Sequence, residues 1–365
     1  MPEIRLINVT KRYGRIIANE SINLTIKNGE YVSVIGPSGC GKTTLIKSIA
    51  GIIRPDEGEI YIDDRLVNNL AIEDREVGYV FQNIALFPHM TVWDNITYGP
   101  KVKGVSPEET RPLALEMLEM NKLSERATAY PHELSGGTQQ KTAVARALVS
   151  RAKLLLLDEP LGALDVKVRT KLRYELRRLV KDLQLTALHV THDQEEAMSI
   201  SDRVIVMKKG RIVEAGTPIK LYTEPKNLFT ANFVGEVNII SGVIIKASSS
   251  GSIVDLGEGL QLTTSNQDRE EGERVVIAFR PEFTLIGDDE EQNRLFGTIS
   301  DVIYSGSVIR IKIMLRNGTQ VVSKTLAHER NTLTINRNVT ISVHPNNILI
   351  YPFPKESLFH ELALE

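Results

Sequence analysis

The stretch YVSVIGPSGCGKTTLIKSIAG (31–51) constrains this chain more than any other. Residues 36–43, GPSGCGKT, fit the pattern G-x-x-x-x-G-K-[ST] and sit between a five-residue apolar run and a helix-forming run. A strand that feeds a glycine-rich loop and then opens a helix leaves a curl of backbone N–H groups at the positive end of that helix, which is an anion site. Gly36, Gly39 and Gly41 let the backbone close round phosphate oxygens with no Cβ in the way. Lys42 reaches the β- and γ-phosphates, and the Thr43 hydroxyl suits magnesium. A reactive thiol at Cys40 is the weaker reading of the same loop.

The rest of the first two-thirds of the chain agrees with a fold of that kind. Short apolar runs, VGYVF (77–81), LLLLD (154–158), ALHVT (187–191) and RVIVM (203–207), alternate with helix-like segments at 106–121, 139–150 and 166–183. This predicts an α/β domain around a mainly parallel, buried sheet over residues 1–235. Beyond residue 235 the pattern changes to short β-branched runs separated by Gly, Ser and Asn: NIISGVII, GLQLTT, RVVIAF, SVIRIKIML, TQVVSKT, NVTISVH and ILIYP. These predict a small all-β, OB-like barrel over 236–365. EPKNLFTANFVGEV (224–237) reads as the joint and DDEEQN (288–293) as a solvated loop.

Charge divides at the same place. Residues 236–365 carry 12 Lys and Arg against 17 Asp and Glu, a net of −5, while the whole chain is −2. A nucleic-acid binder of the OB type needs a basic, aromatic face, so no nucleic-acid partner is expected. No window approaches the ~20 apolar residues of a membrane span, because Lys42 and Lys47 break the richest stretch. MPEIRLINVTKRYGR lacks an apolar signal core, and a single cysteine forbids an internal disulfide; both point to the cytosol.

Two further motifs carry chemistry. LLLLDEP (154–160) is an apolar strand that ends in two carboxylates: Asp158 would hold magnesium through its water, and Glu159 would stand beside an attacking water. LSGGTQQK (134–141) precedes the helical run TAVARALVS; Ser135 is a good N-cap, and Gly136 and Gly137 expose amides at a helix start. A plain capped helix and a second anion site, one that this chain's own phosphate loop does not use, both fit that element.

The ordered set, comprising the phosphate loop, YVFQ with Gln82, LSGG, LLLLDEP, LGALD (161–165) and HVTHD (189–193), resembles the ATP-binding subunit of ABC transporters from residue 4 to about 235. The resemblance implies a P-loop ABC-type nucleotide-binding domain with a helical signature subdomain over about 83–150. It implies a head-to-tail dimer holding ATP and Mg2+ between one subunit's phosphate loop and the other's Ser135, Gly136 and Gly137. It assigns ATP binding to Tyr13, Gly36, Ser38, Gly39, Cys40, Gly41, Lys42, Thr43 and Thr44, with Tyr13 stacked on adenine. It assigns catalysis to Glu159 as general base, His192, Lys42 and Gln82, with metal contacts from Thr43, Gln82 and, through water, Asp158. Asp165 would cross the dimer interface. Two positions depart from the family pattern: Thr138 stands where Gln is usual, and Gly162 where Ser is commoner.

ALFPHMTVWDNI (85–96), AFRPE (278–282) and VIYSGSVIRIKI (302–313) are similar to segments of the maltose- and polyamine-type importer ATPases, whose C-terminal OB-like (TOBE) domain is regulatory. That likeness implies a peripheral ATPase at the cytoplasmic face of the membrane, working as a homodimer with two transmembrane permease subunits and, indirectly, an external solute-binding protein. A soluble ABC-type ATPase not coupled to transport is the alternative, and a tail that binds a small ligand as a feedback sensor is a second open reading.

Overall fold

A computed structural model describes residues 2–150, 152–248, 251–265, 269–287, 293–327 and 333–363. The chain divides into two compact units, one running to Ile219 and the other starting at Lys220. The acidic run read as a loop lies, except for Asn293, outside the described residues.

The first unit opens with strands β1 (Ile4–Tyr13) and β2 (Ile16–Ile26), then β3 (Tyr31–Ile35), helix α1 (Lys42–Ala50), β4 (Glu57–Ile62) and β5 (Arg65–Leu66). Next come β6 (Val77–Val80), α2 (Val92–Val102), α3 (Pro107–Met120), α4 (Gly136–Val149), β7 (Leu154–Asp158) and α5 (Val166–Asp182). It ends with β8 (Thr186–Val190), α6 (Gln194–Ile200), β9 (Arg203–Lys208) and β10 (Arg211–Gly216). The central sheet has the order β10-β9-β3-β8-β7-β6, parallel except where β10 pairs with β9. Every residue of β3, β7 and β8 is buried, which is why those strands read as unbroken apolar runs rather than as an alternation.

The expected parallel sheet is accompanied by an antiparallel one, β2-β1-β4-β5, that the apolar runs did not reveal. Its strands are half buried and irregular: the β1–β2 register shifts three times. The two layers meet in one core of Ile4, Leu24, Val34, Leu45, Ile46 and Leu156, with α1 between them. On the other face, α2, α3 and α4 bury Ile96, Met117, Leu118, Val144 and Leu148. Helix starts follow the side chains. Thr91 makes a capping box with Asp94, Ser106 precedes Pro107, and Ser135, Asp165 and Asp193 cap α4, α5 and α6.

The second unit contains α7 (Pro218–Thr223, entering from the first), α8 (Leu228–Phe233), β11 (Asn238–Ser248), β12 (Gly251–Asp255), β13 (Gln261–Thr264), β14 (Arg274–Phe279) and β15 (Thr284–Ile286). It continues with β16 (Arg294–Ser305), β17 (Val308–Leu315), β18 (Gln320–Leu326), β19 (Asn338–Val343), β20 (Leu349–Pro352) and α9 (Leu358–Leu362). Two five-stranded antiparallel sheets, β13-β12-β11-β14-β20 and β15-β19-β16-β17-β18, share a core of Ile240, Val254, Ile277, Leu295, Ile311 and Ile341 and form the expected OB-like barrel. Among the described residues, asparagine side chains bond from one sheet to the other. Asn238 exchanges both amide bonds with Val322 (2.8 and 2.7 Å), and Asn293 bonds Thr263 N–H, Thr263 O and Val343 O.

The segment read as a joint is more ordered than its composition suggests. Asn227 caps α8, whose Phe229 and Ala231 are buried. Arg280, the arginine of AFRPE, is 1% exposed and donates to the carbonyls of Tyr222, Ala231, Gly235 and Glu236. The motif is thus a buried clamp that holds residues 222–236 to the barrel.

Candidate active site

The strand order β3-β8-β7-β6 sets side by side the loops that leave the C-terminal ends of four parallel strands. In open α/β sheets ligands bind at that edge. Lys42 follows β3, His192 follows β8, Glu159 follows β7 and Gln82 follows β6, so four residues far apart in sequence become neighbours.

The phosphate loop is built by packing as much as by its own sequence. Gly41, the N-cap of α1, has φ 101°, and a Cβ there would lie 2.0 Å from the Ala18 carbonyl of β2; one on Gly36 would lie 2.4 Å from the Met207 carbonyl of β9. The Gly41 carbonyl accepts from Asn19 Nδ2 at 3.1 Å, so the antiparallel sheet braces the loop. Asn19 is a supporting residue that sequence reasoning missed, since nothing local distinguishes an asparagine in an irregular strand. Lys42 is buried and folds back along the loop, its Nζ 2.8 Å from Gly36 O, 2.9 Å from Pro37 O and 3.7 Å from Cys40 Sγ. Burial lowers its pKa, with the Cys40 sulfur and the Glu159 carboxylate opposing that effect. Burial likewise pushes the Cys40 thiol up, which disfavours the thiolate that a nucleophile needs. Ser38 and Gly39 are exposed on the loop, and Thr44 continues the first turn of α1, where its carbonyl accepts from Ser48.

Asp158 and Thr43 come together, Thr43 Oγ1 lying 3.4 Å from Asp158 Oδ1. Tyr79 of β6 donates to the other carboxylate oxygen at 2.9 Å, a partner the sequence did not signal, and burial beside that carboxylate raises the tyrosine's pKa. One hydroxyl and one carboxylate, both hard oxygen donors, are the donor types that would suit Mg2+.

Glu159 is the centre of the site. Its backbone is left-handed (φ 48°), a strained state for a glutamate, and is held by an N–H bond to Val190 O of β8 at 2.9 Å. Its Oε2 accepts from Gln82 Nε2 at 2.9 Å, and its Oε1 lies 2.7 Å from His192 Nε2. Gln82 therefore points its amide nitrogen at Glu159 rather than at the Thr43–Asp158 pair. The Glu159 side chain is 14% exposed and His192 43%, so the carboxylate is sheltered while the imidazole faces solvent.

The remaining residues do not join this cluster. Ser135 is exposed and caps α4; its Oγ accepts from Thr138 N–H at 3.3 Å and lies 2.9 Å from the Thr138 hydroxyl. A Cβ on Gly136 would approach Leu164 to 3.1 Å and one on Gly137 would approach Val168 to 2.9 Å, so the signature packs against the start of α5. Asp165 caps that helix, accepting from Val168 N–H at 3.0 Å. Tyr13 ends β1 half exposed, with the Lys11 ammonium 5.4 Å from its ring centre. Thus Ser135, Gly136 and Asp165 are exposed and Gly137 is half-buried, and none of them takes part in the hydrogen bonds described for Glu159.

A braced phosphate loop beside a magnesium-type oxygen pair and a glutamate held between glutamine and histidine defines a nucleotide-hydrolysing cassette. The chain matches the family model for ABC transporters over residues 19–162 and that for the TOBE domain over 277–350. It is 41% identical over 333 residues to the spermidine/putrescine import ATP-binding protein PotA of Pasteurella multocida, covering 88% of each chain. The PotA of Vibrio cholerae is also 41% identical, over 88% of this chain and 86% of its own. Among solved structures, the dimeric ABC transporter cassette MJ0796 aligns with 59% of this chain and 98% of its own at 38% identity and a TM-score of 0.53. CbiO1 of Clostridium perfringens, part of the transporter complex cbiONQ, aligns with 60% and 90% at 28% identity and 0.57. The chain belongs to the ATP-binding subunits of ABC transporters and carries a C-terminal TOBE domain. It is an ATPase that uses ATP with Mg2+ to energise an importer, acting as a dimer with membrane permease partners, and the uncoupled soluble ATPase is set aside. No helix among the described residues is long and apolar enough to cross a membrane.

Proposed function

We propose that two copies of this chain close head to tail on two MgATP at the cytoplasmic face of the membrane, bound to two permease subunits that an external solute-binding protein supplies. In this reading the ATPase domain spans 1–235, with its helical signature subdomain over about 83–150, and the regulatory TOBE domain spans 236–365. The relatives named for spermidine and putrescine import support a polyamine as the solute.

The observation that carries the catalytic reading is the Glu159 carboxylate held at 2.9 Å by Gln82 and at 2.7 Å by His192. Glu159 is the general base that takes a proton from the attacking water, and His192 and Gln82 fix its direction. The loop amides of Gly36, Ser38, Gly39, Cys40 and Gly41, with Lys42, Thr43 and Thr44, hold the phosphates. Bound Mg2+ would supply charge neutralisation, and Thr43, Gln82 and, through water, Asp158 are the residues that would hold it. Tyr13 receives the adenine, while Ser135, Gly136 and Gly137 of the partner copy close over the nucleotide and Asp165 crosses the interface. The exposure of Tyr13, Ser135, Gly136 and Asp165 in the single chain supports this reading. The groove of about 690 Å3 lined by His89 ahead of α2, Trp93, Tyr98 and Lys101 on α2, and Arg111 on α3 is the permease-facing surface.

Glu159→Gln tests the site. The substitution keeps an acceptor for His192 and removes the base, so ATP binding is retained while hydrolysis falls about 10²- to 10⁴-fold. Full hydrolysis by the variant would refute the assignment. Uptake of labelled putrescine by the assembled transporter, compared with maltose, tests the solute.

A further inference from the structure

We propose that Arg169 is a positioning residue that sets the spacing of the Glu159–His192 pair by tying together the loops that carry them; this rests on the catalytic reading given above. Arg169 lies one turn into α5 and is a quarter exposed. Its Nη2 donates to the carbonyls of Gly162 (3.3 Å) and Leu164 (2.8 Å), and its Nη1 lies 3.6 Å from Asp193 Oδ2. The first two acceptors belong to the turn that begins at Glu159, since Gly162 N–H donates to Glu159 O at 3.2 Å. The third is the neighbour of His192. One planar group therefore spans from the turn after the glutamate to the residue after the histidine.

Both ends of that bridge are otherwise anchored, so its length is transmitted rather than absorbed. Asp193 Oδ1 caps α6 by accepting from Glu196 N–H at 2.9 Å, and its backbone N–H donates to Thr191 Oγ1 at 3.0 Å. The Thr191 hydroxyl in turn donates to buried Glu196 at 2.7 Å, which leaves His192 between two pinned residues. Arg173 supports the same Asp193 oxygen at 3.4 Å and also pairs with Glu195 at 3.0 Å, but its described bonds do not include the Gly162–Leu164 turn. A guanidinium satisfies two carbonyls and a carboxylate at fixed angles; an ammonium is a point charge on a flexible stem and does not.

The test uses the full-length chain with Arg169→Ala and Arg169→Lys, measuring kcat and KM for MgATP hydrolysis, binding of a fluorescent ATP analogue and the melting temperature. Misplacing a reacting group by about 1 Å costs up to ~10²-fold. The expected result is a kcat about 10- to 100-fold lower for Arg169→Ala, with KM, nucleotide binding and melting temperature close to wild type and only partial recovery in Arg169→Lys. Asp193→Asn added to Arg169→Ala causes little further loss, because the two act as one unit. Wild-type kcat in Arg169→Ala overturns the proposal, as does a parallel fall of kcat, nucleotide binding and melting temperature that Arg169→Lys does not split. If Arg169→Ala does not fold, Arg169→Gln, which keeps an amide donor and drops the ion pair, is read by the same split. Glu159→Gln is run alongside. Hydrolysis by that variant breaks the catalytic reading, whereas an inactive Glu159→Gln with a wild-type Arg169→Ala breaks this inference alone.

Discussion

Replacing Arg280 by methionine removes a guanidinium that makes five hydrogen bonds to four backbone carbonyls: 3.2 and 3.1 Å to Tyr222, 2.8 Å to Ala231, 3.2 Å to Gly235 and 3.1 Å to Glu236. It also lifts the arginine off the Tyr222 ring, whose centre is 4.3 Å away. Methionine fills much of the volume but donates nothing, so the four acceptors lose their partners in a site that is 1% exposed. A buried polar group left unpaired costs about 1–3 kcal/mol. Four at the low end give about 4 kcal/mol. Burial also holds the Arg280 guanidinium below its usual range, so losing the charge returns part of that sum, and about 3 kcal/mol of net destabilisation is expected. The loss falls on the second unit alone, which gives the experiment its internal control. Trp93, the one tryptophan of the chain, lies in the first unit, so its fluorescence on urea unfolding follows the ATPase core and keeps its midpoint. Amide exchange in β11, β14 and α8 follows the barrel and its clamp, and there protection falls about a hundredfold or more, the equivalent of ~3 kcal/mol. A loss under about 0.5 kcal/mol would show that the carbonyls find water, and would refute the clamp argument.

Two predictions concern the site itself. A Cβ on Gly162 would find only ordinary contacts, Glu159 O at 3.5 Å and Oε2 at 3.9 Å, so Gly162→Ser is expected to keep the melting temperature and to leave kcat within about twofold; a collapse of either would show that the turn requires glycine. Burial lowers the pKa of Lys42, and the protonated form is the one that holds phosphate. The contribution of Lys42 to nucleotide affinity is therefore full below its own pKa and declines as pH rises through that value, which lies below the ~10.4 of an ordinary lysine. A binding profile flat up to that ordinary value would contradict the role of burial.

The parallel strands were legible because burial on both faces leaves no room for polar residues: LLLLD and YVSVI announce themselves in any window. β1 and β2 did not, since one face meets solvent and the register slips, so their apolar positions fall out of step. β16 was missed for a related reason: RLFGTISDVIYS mixes glycine, serine and aspartate into a 12-residue strand that pairs with β19 over its first half and with β17 over most of its length. α8 hid in a segment that reads as linker because six residues carry too little helical signal on their own; burial of Phe229 and Ala231 and the Arg280 clamp supply what local propensity lacks.

Residue order by itself determined the chemistry available to this protein. A glycine-rich loop between a strand and a helix, a strand ending in Asp158 and Glu159, and a histidine at 192 are local facts, because each depends only on neighbours along the chain. What the tertiary structure alone decided is which of these groups act on one another. Sheet order places His192 and Gln82 on the two oxygens of Glu159, a partner strand dictates glycine at position 41, and α5 brings Arg169 across two loops. Those relations join residues up to 77 positions apart, and a hydrogen bond needs its partners within a few tenths of an ångström, a precision that only the packed core supplies.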